Sequence, residues 1–147
     1  MLIAQITDLH VTPRGELLQG RVDTAGYLEK AVAKLSAMKP KPDVVLITGD
    51  LVENGAAEEY KLLRIIIKPL VMPVYVIPGN HDDRETMQRE FDDHHYFPKQ
   101  GFLHFAVNDF PLRLIGLDTV IPHKTEGEMC SKRLAWLEAT LDEAPKQ

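Results

Sequence analysis

An α/β layered domain is predicted by two features of the sequence. Short apolar runs that end in glycine or polar residues alternate with segments of helical periodicity, and the central run, Asp43 to Thr48, is β-branched and apolar on both faces, as a buried parallel strand should be. Leu2 to Thr7 reads as the first strand. Tyr27, Leu28, Ala31, Val32, Leu35 and Met38 then recur at helical spacing, with Asp23 or Thr24 as caps and Pro40 and Pro42 as the stop. After the strand ending at Gly49, Ala56 to Lys68 predicts a second helix, and Pro69 and Pro73 separate it from a third strand, Val74 to Ile77, closed by Pro78-Gly79. Strand, helix, strand, helix, strand implies right-handed parallel crossovers. A third helix is expected near Asp83 to Phe91, followed by an antiparallel hairpin of Phe102 to Val107 and Leu112 to Leu117. Ser131 to Leu141 closes the chain as a helix with Ser131 as N-cap and Leu134, Leu137 and Leu141 on its apolar side.

With 147 residues and 44% hydrophobic content the chain suits one core-bearing unit. The formal net charge of −5 argues against a surface that coats a nucleic-acid polymer, since such binding draws on a basic excess. Cys130 is the single cysteine, which excludes an intrachain disulfide framework and points to a reduced compartment, the cytoplasm. The N-terminus has no basic leader, and no apolar run approaches the roughly 20 residues of a membrane span, so a soluble protein is expected.

Chemistry is suggested by where the polar residues fall. Asp8 and His10 follow the first strand, Asp50 the second, and Asn80, His81 and Asp82 the third. Loops at the carboxyl ends of parallel strands converge on one site. Any one of these aspartates alone reads equally well as a turn residue or helix cap; their coincidence at three successive strand ends does not. Asp8 and His10, two apart in an extended segment, can offer an oxygen and an imidazole nitrogen to one ion, Asp50 has two carboxylate oxygens, and Asn80 adds a neutral amide oxygen. Gly79 lets the backbone approach closely. Mixed oxygen and nitrogen donors suit manganese, iron, cobalt or zinc better than a structural thiolate zinc site.

Asp8-Leu9-His10, Gly49-Asp50-Leu51-Val52-Glu53-Asn54 and Gly79-Asn80-His81-Asp82 resemble the first three signature blocks of the calcineurin-like metallophosphoesterases, in order and at similar intervals. The flanking text, Gly20-Arg21-Val22-Asp23 and Glu58-Glu59-Tyr60 included, is similar to the branch of class III cyclic nucleotide phosphodiesterases and bacterial glycerophosphodiesterases. The resemblance implies an αββα sandwich, with residues 1–147 the N-terminal part of a single domain, truncated before the second half of the fold. It implies that Asp8 and His10 bind a first metal, that Asp50 bridges, that Asn80 binds a second, and that catalytic His81 meets the phosphoryl oxygens or leaving group. The implied reaction is in-line attack of a metal-bound hydroxide on a small-molecule phosphodiester, a 3',5'-cyclic nucleotide or a glycerophosphodiester, using two divalent or trivalent transition-metal ions and no covalent enzyme intermediate.

The family's later histidine and Gly-His-x-His block have no counterpart in this sequence. The first metal keeps Asp8, His10 and Asp50, the second only Asp50 and Asn80, so at most one well-bound ion is expected. The alternative to an enzyme is a non-catalytic binding module on the same fold. His94-His95 reads as a solvated loop, His104 as packed or surface-facing, His123 as a solvated loop residue with the substrate entrance as the alternative, and Glu58-Glu59 and Asp92-Asp93 as solvated faces or helix-end charges. Trp136 is expected on the helix flank and Cys130 in a structural role. An uncovered hairpin edge predicts a homo-oligomer.

Overall fold

The structure, a computed structural model, describes residues 1–143; the Ala144–Gln147 end of the expected unit lies outside the described residues. Strands β1 (Ile3–Ile6), β2 (Val44–Thr48) and β3 (Val74–Ile77) form a parallel sheet in that order. Helices α1 (Thr24–Ala37) and α2 (Ala57–Ile67) make the crossovers and pack on each other, and α3 (Arg84–Glu90) packs against α2. Strands β4 (Phe105–Val107) and β5 (Leu114–Gly116) pair antiparallel as a separate two-stranded sheet, and α4 (Ser131–Asp142) follows. No helix among the described residues is long and apolar enough to cross a membrane.

The sheet register places the functional loops. Ile6 pairs with Ile47 and Thr48 with Ile77, so the chain leaves all three strands at one end of the sheet. Backbone pairing then continues past the strands: Asp8 N–H donates to Gly49 O at 3.2 Å, His10 N–H to Asp50 O at 2.9 Å, and Val11 N–H to Leu51 O at 3.2 Å. Val11, Leu51 and Val52 are wholly buried, so the loops are anchored in the core directly beneath the polar residues they carry. Val45, Ile47, Val76, Tyr60, Leu63 and Met87 continue this core between the sheet and the helices. Tyr75, next to Val76, points the other way and stacks on Phe105 of the hairpin with ring centroids 5.7 Å apart.

Asp23 is the cap that starts α1, its carboxylate accepting from Gly26 N–H at 2.9 Å. Tyr27 departs from the expected buried stripe: it is 64% exposed, with Lys30 Nζ 5.0 Å from its ring centroid. At α2 the N-cap is Ala56, which has no side-chain acceptor, so the helix start is closed from inside. Glu59, 1% exposed, accepts from Asn54 N–H at 3.0 Å, Asn54 Nδ2 at 2.8 Å and Ala56 N–H at 3.1 Å. Glu59 is therefore a buried, fully partnered loop clamp rather than a solvated charge.

Helix α4 corrects two expectations. Its N-cap is Cys130, not Ser131, and its buried residues are Arg133 and Thr140. Leu134 and Leu141 are instead 45% and 53% exposed. The cause is electrostatic. Arg133 Nε donates to Asp118 O at 2.9 Å and Nη2 to Val120 O at 2.6 Å, while its guanidinium carbon lies 4.0 Å from the Phe102 ring centroid. Satisfying this buried cation puts Arg133 on the inner face of α4 with the half-buried Leu137 and leaves Leu134 and Leu141 outward.

Candidate metal centre

Asp8, His10 and Asp50 come together at the carboxyl end of the sheet, with ligand atoms that all lie within 4.8 Å of one another. His10 Nε2 is 3.6 Å from Asp50 Oδ2. All three have positive φ, at 54°, 43° and 46°, a left-handed backbone that side-chain-bearing residues rarely adopt. Such strain persists only where the surroundings enforce it. Here the backbone bonds between the first and second loops enforce it, and the Thr7 hydroxyl, 2.6 Å from Asp8 Oδ2 and 2.8 Å from Thr48 O, fixes the entry.

The third loop is clamped to the second. Gly79 lies so close that a Cβ there would fall 2.2 Å from Asp50 N and Oδ1, which makes glycine obligatory. His81 N–H donates to Asp50 Oδ1 at 3.1 Å. Beneath them Asp82 accepts from Leu51 N–H at 3.0 Å, Gly79 N–H at 2.8 Å and Tyr60 OH at 3.0 Å. Burial pushes the Asp82 carboxyl up to about 6 against these hydrogen bonds, and burial with the adjoining Asp82 pushes the Tyr60 phenol far above its ordinary range. Asp82 and Tyr60 thus brace two loops from the core side.

His81 stands beside His10, the rings edge-to-face at 4.6 Å between centroids. Its Nδ1 is 2.9 Å from Glu53 O, and this hydrogen bond is the main cause raising the His81 pKa, with Asp50, Glu53 and Asp82 adding to it against burial. Glu53 also reaches His10: its Oε2 is 2.8 Å from His10 Nδ1. Asn80 is exposed and lines, with His81, a cleft of about 1120 Å³. His123 is exposed, as a solvated loop residue should be, and lines the same cleft. Trp136 packs from the side of α4 on the buried His104 ring, centroids 4.8 Å apart, and also reaches the cleft wall. His94 is half-buried among Phe91, Tyr96 and Phe97, with Nδ1 2.8 Å from Tyr96 OH, and belongs to neither ligand cluster, while His95 beside it is exposed.

The donor chemistry fits a divalent metal ion. Two carboxylates and an imidazole are the ligand types of catalytic transition-metal sites, and an ion with bonds of about 2.0–2.2 Å needs only small side-chain rotations to close a set of this size. The sequence alone gives neither Glu53 nor Asp82 a role. The signal for Glu53 was its position three residues beyond Asp50; its proximity to His10, 43 residues away, follows from the parallel pairing of Val11 with Val52.

Residues 1–137 match the family model described as calcineurin-like phosphoesterase. Among curated relatives, a probable glycerophosphodiester phosphodiesterase of Arcobacter nitrofigilis is 41% identical over 145 residues, covering 99% of this chain and 53% of the relative. A 3',5'-cyclic adenosine monophosphate phosphodiesterase of Pseudomonas aeruginosa is 32% identical, covering 98% of this chain and 51% of the relative. The chain spans about half the length of the curated relatives it matches. A purple acid phosphatase from yellow lupin (Lupinus luteus) seeds shares the fold, with a TM-score of 0.60 at 14% identity over 99% of this chain and 28% of that one. With carboxylates and imidazoles gathered at the strand ends and residues 1–137 of 147 matched, the chain belongs to the calcineurin-like phosphoesterase family.

Proposed function

We propose that the whole protein is a metal-dependent phosphodiesterase acting on small phosphodiesters, 3',5'-cyclic nucleotides or glycerophosphodiesters, and that this chain supplies the first half of its metal centre. The observation that carries this reading is the Asp8, His10 and Asp50 cluster, held at positive φ by a clamped backbone. Asp8 and His10 would hold a first ion, and Asp50 and Asn80 would be the donors this chain offers to a second. Bound ions of the manganese, iron, zinc or cobalt type supply Lewis acidity and water activation. His81 donates its Nδ1–H to Glu53 O and lines the cleft, where its imidazolium form, protonated on both nitrogens, would donate from Nε2 to a phosphoryl oxygen or the leaving group. No side chain is needed as a nucleophile.

Calorimetric titration of this chain with manganese tests the centre. One ion per chain is expected, lost in Asp8→Ala. Two tight ions per chain, one of them abolished by Asn80→Ala, would overturn the assignment of a single complete site. Diester hydrolysis by the whole protein separates enzyme from binding module: metal uptake without turnover of cyclic AMP or a glycerophosphodiester favours the module.

The chain is also proposed to self-associate. Among the described residues no further strand pairs with the two-stranded β4–β5 sheet, and Leu134 and Leu141 are exposed on α4. Light scattering across a dilution series should show mass rising with concentration, and Leu134→Glu with Leu141→Glu should restore the monomer. A monomer mass at every concentration refutes this.

A further inference from the structure

We propose that Glu53 is the positioning residue of the metal centre: its carboxylate holds His10 by Nδ1–H and its main-chain carbonyl holds His81 by Nδ1–H, so that one residue sets the tautomer of both imidazoles and leaves each Nε2 free. The proposal rests on the metal-centre reading given above and adds a residue that reading does not use. Its basis is geometric. Glu53 Oε2 is 2.8 Å from His10 Nδ1, and Glu53 O is 2.9 Å from His81 Nδ1, while the second imidazole nitrogen of His10 is the one that lies 3.6 Å from Asp50. An imidazole that donates one N–H to a carboxylate has its other nitrogen fixed as a lone pair, oriented and made more basic for an ion. Glu53 itself is held in place by its own N–H, which donates to Val11 O at 3.2 Å, one residue beyond His10. Carboxylate, imidazole and ligand cluster are therefore indexed to one another by the backbone ladder that carries the site.

A competing use of the same atoms has to be separated. His10, Glu53 and His81 also bring one ligand atom each within 4.8 Å, which would let Glu53 bind an ion directly. Two distances favour the hydrogen-bonded arrangement: 2.8 Å is an ordinary N–H to oxygen separation, and His81 Nδ1 sits closer to the Glu53 carbonyl, at 2.9 Å, than to its carboxylate, at 3.4 Å.

Imidazole ¹⁵N–¹H correlation spectra of the metal-free wild-type chain, combined with manganese titrations of variants, test the proposal. His10 and His81 should both show the Nδ1–H tautomer in the wild type. Glu53→Ala should leave the stoichiometry unchanged, weaken manganese binding by about 10–100-fold and mix the His10 tautomers, with Glu53→Gln showing a smaller loss because its amide oxygen still accepts. His81→Ala should bind manganese as the wild type does. An Nε2–H tautomer of His10 in the wild type, or wild-type affinity in Glu53→Ala, overturns the proposal, and loss of the ion in both Glu53→Ala and His81→Ala shows direct ligation instead. If Glu53→Ala does not fold, the wild-type spectrum and Glu53→Gln still decide. Retention of the ion by Asp8→Ala and Asp50→Ala is a different failure, that of the metal-centre reading itself.

Discussion

Asp50→Ala is expected to abolish manganese binding by this chain and to lower diester turnover by the whole protein at least about 10³-fold, the upper end of what losing a single electrostatic donor costs. The size of the effect follows from how many parts of the site Asp50 joins. Its Oδ2 faces His10 Nε2 at 3.6 Å, its Oδ1 accepts the His81 N–H at 3.1 Å, and its carbonyl accepts the His10 N–H at 2.9 Å. Removing the carboxylate takes a ligand from the Asp8 and His10 cluster and leaves the His81 N–H without its acceptor. Asp50→Asn is the sharper control, because asparagine tolerates the positive φ of 46° that alanine would strain, so an equal loss in both variants assigns the effect to charge rather than backbone. His81→Ala, by contrast, should lose turnover while keeping the ion. Calorimetry for occupancy and steady-state kinetics for turnover read the two apart; full occupancy with normal turnover in Asp50→Asn would end the bridging assignment.

Strand ends were the most legible part of the sequence, and for a physical reason. A buried parallel strand must be apolar on both faces, so Gly49-Asp50 after Val44–Thr48 and Gly79-Asn80 after Val74–Ile77 stand out as breaks in composition. Parallel topology then does the rest, because strands in register deliver their following residues to one place. What stayed hidden was which charges are buried. Glu59 and Arg133 look like surface residues by type, yet are 1% and 3% exposed. Their partners lie in backbone groups that hydropathy does not register: the N–H groups of Asn54 and Ala56 for Glu59, the carbonyls of Asp118 and Val120 for Arg133. Periodicity placed Leu134, Leu137 and Leu141 on one side of α4, as any helix must, but could not say that a neighbouring face held a cation with a stronger claim on the interior. The pairing of Glu53 with His10 was hidden in the same way, by a contact made through the sheet rather than along the chain.

Asp118→Ala should destabilise the fold by about 3–5 kcal/mol, the usual result of removing one member of a buried ion pair and leaving its partner uncompensated. The Asp118 side chain is wholly buried and accepts Arg84 Nε at 2.6 Å and Nη2 at 2.8 Å, together with the N–H groups of Leu103 at 2.9 Å and Val120 at 3.0 Å. Its main chain completes the knot, with N–H donating to His104 Nδ1 at 2.9 Å and O accepting from Arg133 Nε at 2.9 Å. One residue therefore ties α3, the segment before β4, and α4 to the end of β5. Burial alone would raise its carboxyl; the Arg84 hydrogen bonds and charge, with the two backbone donors, outweigh burial and hold it below the usual carboxylate range. A pKa lower in the folded than in the unfolded state means that the unfolded chain takes up its proton first. The contribution is thus fully present above the unfolded value of about 3.9 and is lost as pH falls through the depressed folded value. Urea unfolding at pH 7 should show the full deficit in Asp118→Ala, and the gap between variant and wild type should close below pH about 4, as the wild type loses the same charge. Asp118→Asn, which keeps an acceptor but no charge, should fall between them. A deficit under about 1 kcal/mol at pH 7, the range of an exposed pair, would mean that Asp118 does not hold these elements together.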